Sequence, residues 1–187
     1  MTAIINFLFA AIKARTPLLF GTTGEIVTQK AGNLNLGVEG MMYMGAVFGF
    51  MGAYYLDSAI ATLLFAFLGG LGGALVYAFL TVTLKANQNV AGLTLTIFGT
   101  GLANLLGTNM INGSGSGAAM VSDAMKAFFR PMDMGALTAI PYLGKLLFNH
   151  SLFTYLGIVL AIAAGWYLNH TAQGLNLRAV GENPAAA

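Results

Sequence analysis

AGNLNLGVEGMMYMG, residues 31–45, sets Asn33, Asn35 and Glu39 inside otherwise apolar sequence and is punctuated by Gly32, Gly37 and Gly40. A plain membrane anchor has no use for those side chains. A buried amide or carboxylate must find a partner, and a carboxylate near the bilayer centre is expensive. Closely spaced glycines also oppose a continuous helix, each costing about 1 kcal/mol relative to alanine. Two readings follow. One is a helix interrupted at membrane depth, with polar groups gathered at the break as transporters arrange them. The other is a short polar loop between two helices, out at the headgroups.

The surrounding composition settles the broad class. Of 187 residues, 57% are hydrophobic and only 7% charged, against about 25% charged in a soluble domain. Mean hydropathy is +0.76, which reads as an all-α, polytopic membrane protein. A net charge of +2 is too small and dispersed for a nucleic-acid partner. The absence of cysteine excludes disulfide and thiolate chemistry. Lys13 and Arg15 follow the first apolar run, the reverse of a secretory signal. No soluble domain is visible, so an ATP-driven or ligand-capturing part is expected on another chain.

Upstream of the central stretch, Ile4–Ile12 is too short to span, since a crossing helix needs about 20 residues. Thr16 and Pro17 read as the cap and first turn of a helix running to Lys30. Thr22, Glu25 and Gln29 share one face of it. Whether that segment crosses or re-enters stays open. Downstream, Met41–Leu56 reads as a helix ending in Tyr54 and Tyr55, residues suited to a headgroup boundary. Asp57 marks a turn, and no charge intervenes before Lys85. The pairs Gly45/Gly49 and Gly69/Gly73 read as helix-packing surfaces.

No Asp, Glu, Lys or Arg lies between Lys85 and Asp123, and Val90–Ile111 is the next expected span. Thr96, Thr100, Asn104 and Thr108 recur every four residues there, beside a row of Gly99, Ala103 and Gly107. That polar, small side could line a solute path or glue helices together. Residues 112–145 form a long connection. In it GSGSG at 113–117 is linker sequence, and Ser122 caps an expected short helix carrying Met125, Phe128 and Phe129, ended by Pro131. Ser151–Leu168 is the last span, with Trp166 and Tyr167 at an interface. His150 and His170 flank it too far apart to meet, and read as interfacial residues. Asn183, Pro184 and Ala185–Ala187 read as a cap, a first-turn proline and the start of a helix. A chain that stops as a helix begins reads as C-terminally truncated.

Catalytic and cofactor signatures are missing. GGLGG and GSGSG lack the lysine and context of a phosphate loop. No serine, histidine and carboxylate set is placed for nucleophilic catalysis, and no cluster has metal-ligand spacing. An enzyme is not expected, nor a cofactor or a bound metal.

Residues 16–46, TPLLFGTTGEIVTQKAGNLNLGVEGMMYMGA, resemble the signature of inner-membrane permeases of ABC importers, in the branch handling simple sugars and nucleosides. The tail GLNLRAVGENPAAA, residues 174–187, is similar to the cytoplasmic loop such permeases present to their ATPase. NLGVEG, in place of the DLSVG of ribose-type permeases, points to the nucleoside group, which works with a lipoprotein of the basic membrane protein kind. The resemblance implies a single permease domain, residues 1–187. Its partners would be an ABC ATPase subunit, a second permease, an extracytoplasmic substrate-binding lipoprotein, a nucleoside or sugar, and the bilayer of a bacterial plasma membrane. Within residues 16–56 it implies a central motif holding Asn33, Asn35 and Glu39, to which Glu25, Thr96, Thr100 and Asn104 are added as a translocation pathway. At residues 171–187 it implies a coupling loop, incomplete here, using Gly174, Asn176, Arg178, Gly181, Glu182, Asn183, Pro184, Ala185 and Ala186. Family members are longer, so 187 residues read as a fragment.

Four to five membrane segments are expected, with one broken or re-entrant element near residues 31–40. A cytoplasmic tail places residues 112–145 outside, Lys85 inside, Asp57 outside and Lys30 inside, which suits the positive-inside tendency at Lys30, Lys85 and Arg178. Lys13 and Arg15 conflict with it unless residues 16–30 re-enter. The competing functional readings are a non-transporting assembly partner and an ATP-independent channel or carrier.

Overall fold

The computed structural model describes residues 2–115, 118–132, 135 and 143–183, and no strand occurs among them. The helices are α1 (Thr2–Lys30), α2 (Val38–Leu56), α3 (Ala59–Ala78), α4 (Gln88–Gly113), α5 (Asp123–Phe128), α6 (Leu143–Phe148), α7 (Leu152–His170) and α8 (Ala172–Glu182). A single π turn, Phe79–Thr83, extends α3. Four of these are long and apolar enough to cross a membrane: Ile4–Lys30, Ala59–Thr83, Gln88–Gly113 and Leu152–His170. Their large apolar side chains are turned outward, as at Phe67, Ile97 and Ile162. Hydrocarbon is as good a solvent for them as a protein core, so helix contacts rest on close packing and hydrogen bonds instead. The chain divides into two compact units, residues 1–32 with 129–187, and residues 33–128.

In the unit of residues 33–128, α2 and α3 form a hairpin that turns at Asp57, which holds a left-handed φ of 44°. Gly49 stands where a side chain would meet Ala66 Cβ at 2.9 Å, and Gly69 where one would meet Met44 O at 2.9 Å. Both glycine pairs of the sequence are therefore packing surfaces. Ser122 caps α5, its hydroxyl accepting from the Met125 amide at 3.2 Å, and also donates to the Asp57 carboxylate.

In the other unit, α1 overturns the expected helix start. Thr16 and Pro17 lie inside one continuous helix, and the Thr16 hydroxyl donates back to Ile12 O at 3.0 Å. Pro17 forfeits a single backbone hydrogen bond, a loss membrane helices tolerate when hydroxyls and neighbours re-satisfy the freed groups. The Thr16 and Thr154 hydroxyls are 3.0 Å apart near the start of α7, while the far end of α1 meets α8 at Gly181. So α1 runs the length of α7 in the same direction and does not turn back. A cytoplasmic α8 would put Lys13 and Arg15 toward the opposite side, against the positive-inside tendency.

His150, just before α7, is buried in the protein, with Nε2 2.8 Å from Leu146 O and its ring stacked 5.0 Å from Phe9. His170 is exposed and stacks on Trp166. Asn183 closes α8, its amide donating to Ala179 O at 2.9 Å. The cap of α8 is Thr171, whose hydroxyl accepts from the Gly174 amide at 3.0 Å. The helix start expected at Asn183–Ala187 falls on Pro184, Ala185, Ala186 and Ala187, which lie outside the described residues. Thr171→Ala should cost α8 about 1 kcal/mol, read as roughly fivefold faster amide exchange in α8 with α7 unchanged.

Candidate functional site

The break occupies Ala31–Gly37, and α2 resumes at Val38. Its backbone leaves the helical ladder, so each carbonyl and amide needs another partner. Asn35 supplies one locally: its side-chain oxygen accepts from the Gly37 amide at 2.8 Å, an Asx turn that reverses the chain. Tyr77 supplies more from α3. Its hydroxyl lies 2.7 Å from Leu34 O and 2.9 Å from Asn33 Oδ1, and the residue is 4% exposed. Thr81, in the π turn, lies 3.5 Å from Asn33 Nδ2. Gln88 Oε1 accepts from the Leu34 amide at 2.9 Å, and the Thr96 hydroxyl donates to Leu36 O at 2.9 Å.

These partners fix the height of the break. Tyr77 and Thr81 belong to the last turns of α3 and its extension, and Gln88 is the first residue of α4. The break therefore sits level with the α3–α4 end of its unit and not half-way along the helices. Its surroundings are those of a break buried in protein, whereas its level is that of a connection between helices. Asn33 and Asn35 tie backbone to neighbouring helices, and Asn35 is only 8% exposed.

Next to the break, α2 crosses α4 backbone to backbone. A side chain at Gly37 would meet Gly92 O at 3.0 Å, and one at Gly40 would meet Thr96 Cα at 2.6 Å. One at Gly99 would overlap the Gly40 carbonyl. Tyr77, Ala91 and Leu95 fill the space toward α3, with Met41 and Leu80 against them. On α2, Glu39, Tyr43 and Phe50 are exposed. Glu39 is in the first turn of α2, where the helix dipole favours a carboxylate.

The polar stripe of α4 divides in two. At its beginning it packs, with Thr96 bonded to the break and Thr100 donating to Thr96 O at 2.6 Å. Farther along it is open: Asn104 and Thr108 are exposed, and no heavy atom lies within 4 Å of a side chain built at Gly107. By helical spacing, Thr96 and Thr100 stand on the side of α4 turned away from Ala91 and Leu95. The open part of the stripe, Asn104 and Thr108, offers an amide and a hydroxyl. Such a face suits an uncharged, hydrogen-bonding solute. Among the described residues no group of three His, Cys, Asp or Glu is placed to hold a metal.

Glu25 is half-buried on α1 and belongs to the other unit. So do the tail residues. Asn176, Glu182 and Asn183 are exposed on α8. Gly174, Arg178 and Gly181 face inward: Gly174 against Leu168, Gly181 against the end of α1, and Arg178 donating to Asn169 Oδ1 at 2.7 Å. The residues that sequence reading missed are Tyr77, Thr81 and Gln88. Tyr77 is the single tyrosine between Asp57 and Lys85, and a buried phenol hydroxyl in so apolar a run had to bond something. That signal was available.

Residues 6–187 match the family described as branched-chain amino acid transport system / permease component. A Haloferax volcanii protein named putative glucose ABC transporter permease protein TsgC13 is 32% identical, over 100% of this chain and 55% of its own length. The nucleoside ABC transporter permease protein NupC of Lactococcus lactis is 35% identical over 92% of this chain and 54% of its own. The guanosine ABC transporter permease protein NupQ of Bacillus subtilis is 30% identical over 95% and 56%. The chain thus spans about half the length of the curated relatives it matches. No solved structure matches it.

Proposed function

Because the chain belongs to the branched-chain amino acid transport system / permease component family, we propose that it is a permease subunit of an ATP-binding-cassette importer that moves nucleosides by alternating access. Family membership, with four helices of crossing length, supports the reading of a multi-pass membrane protein that serves as a transport subunit. The observation that carries the reading is the family match over residues 6–187, joined to relatives whose names specify nucleoside and guanosine ABC permeases. A simple sugar is the second reading, favoured by the glucose-named relative that aligns with the whole chain. Nucleosides and sugars share vicinal hydroxyls and lack charge (phosphate-free), which suits the uncharged polar side of α4.

In this reading the importer lies in a bacterial plasma membrane with an ATPase chain, a second permease and an extracytoplasmic substrate-binding lipoprotein. Thr100, Asn104 and Glu39 are assigned to the solute path. Asn33, Asn35 and Thr96 hold the break. The ATPase meets the outward side of α8, where Leu175 and Val180 are 49% and 47% exposed beside Asn176, Glu182 and Asn183. Leu175→Asp should then abolish co-purification of the ATPase chain at unchanged membrane abundance, because a charge replaces the apolar anchor of the contact. Retained association would remove α8 from that interface.

The test of function is uptake of labelled guanosine and labelled glucose by cells carrying the complete operon, with and without this gene, and with an ATPase chain unable to hydrolyse ATP. The proposal predicts guanosine uptake lost in both mutants. Uptake of glucose alone selects the sugar reading. Uptake that survives loss of hydrolysis establishes an ATP-independent channel or carrier. Uptake that survives loss of the gene leaves the chain without a transport role.

A further inference from the structure

The end of α1 and the end of α8 meet backbone against backbone, at the residue where the break begins. A side chain at Gly181 would overlap Lys30 O and lie 2.8 Å from Gly32 N and 3.0 Å from Ala31 C. From the other side, a side chain at Gly32 would lie 3.1 Å from Gly181 Cα. Gly32 has a φ of +86° and donates its amide to Gln29 O at 3.0 Å. It is thus the left-handed residue that closes α1. At the opposite end of α8, Gly174 is pressed on the last turn of α7, 2.8 Å from Leu168 Cα if a side chain is added. So α8 is seated at two glycine contacts, one on the span that precedes it and one on the entrance to the break.

The next residue after Gly32 is Asn33, which Tyr77 holds, followed by Leu34, which Tyr77 and Gln88 hold. We propose that the Gly181–Gly32 contact is the joint through which displacement of α8 reaches the polar break, with both glycines acting as positioning residues. The physical warrant is stiffness. Side chains absorb small displacements by changing rotamer, whereas two backbones in contact have none to change, and close-packed matter transmits strain. The proposal rests on the reading that α8 meets an ATPase, and it adds where the motion goes next. Gly174 and Gly181 accordingly serve the seat of α8, and its outward side serves the partner.

The test uses the assembled importer in lipid nanodiscs. This chain has no cysteine, so Leu36→Cys gives a single reporter on an exposed residue of the break whose side chain serves no bond described above. Maleimide reactivity is compared with and without ATP plus vanadate. In the otherwise native importer the two rates should differ by about fivefold or more, the lower range of common coupling. Gly181→Ala and Gly32→Ala should bring the ratio to unity while the ATPase chain still co-purifies. A residue that only supported folding would lose the complex instead of the response. The proposal holds when every variant that retains the ATPase has lost the response. It is overturned when one retains both, when neither retains the ATPase, or when Leu36→Cys reacts alike in both states without them. Failure of the underlying reading shows separately, as retained ATPase in Leu175→Asp.

Discussion

Gly99→Val should abolish accumulation of folded protein, whereas Gly101→Val, two residues along the same helix, should be tolerated. A Cβ at Gly99 overlaps the Gly40 carbonyl and lies 2.8 Å from Gly40 Cα, while nothing lies within 4 Å of one at Gly101. The obstacle at Gly99 is backbone on both sides, so no rotamer change relieves it. Separating α2 from α4 would also pull Thr96 from Leu36 O, a hydrogen bond of 2.9 Å, and open the core at Leu95. The cost should be about 3 kcal/mol or more, the upper range for overpacking. Replacing the exposed glycine should change stability by about 1 kcal/mol or less. Membrane abundance and thermal unfolding in detergent read both. Equal abundance of the two variants would mean that the α2–α4 crossing is not the tight contact described here.

Tyr77→Phe should destabilise the protein by about 1–3 kcal/mol, the cost of leaving buried acceptors unsatisfied. The phenol serves Leu34 O at 2.7 Å and Asn33 Oδ1 at 2.9 Å, and the ring stays in its core with Ala91 and Leu95. Only the hydroxyl is lost, so packing does not contribute. Tyr43→Phe is the control, since Tyr43 is exposed on α2 and such a change should fall within about 0.5 kcal/mol. Detergent unfolding midpoints for the two variants decide it. If they coincide, Asn33 and Leu34 do not depend on α3.

These two variants also mark what the sequence could and could not disclose. The spans were readable because charge is absent from residues 58–84 and 86–122, and lipid imposes that absence over whole helices. Gly45, Gly49, Gly69 and Gly73 were readable as packing because four-residue spacing puts each pair on one face. The existence of a break at Gly32–Gly37 followed from clustered glycines and amides. Its level did not follow, because that depends on which turn of α3 meets Asn33, and only the folded chain brings Tyr77 there.

Helix boundaries failed where a local signal was outweighed by its surroundings. Thr-Pro at residues 16–17 opens helices in water, yet α1 continues through it with the Thr16 hydroxyl on Ile12 O. The start of the short α8 was not anticipated, since Thr171, which caps it, follows the last span with no break in polarity to mark a new start. The four-residue stripe on α4 carried both candidate roles at once. Thr96 bonds the break, while Asn104 stands open, and no spacing rule separates the two.

The account's central claim is that the open side of α4 is part of a route whose access switches with the nucleotide state of a separate ATPase. Asn104→Cys in the assembled importer, placed in oriented vesicles and challenged with a membrane-impermeant maleimide from each side in turn, tests it most directly. The account predicts labelling from one side without nucleotide and from the other with ATP plus vanadate. Labelling from the same side in both states, or from neither, would contradict it.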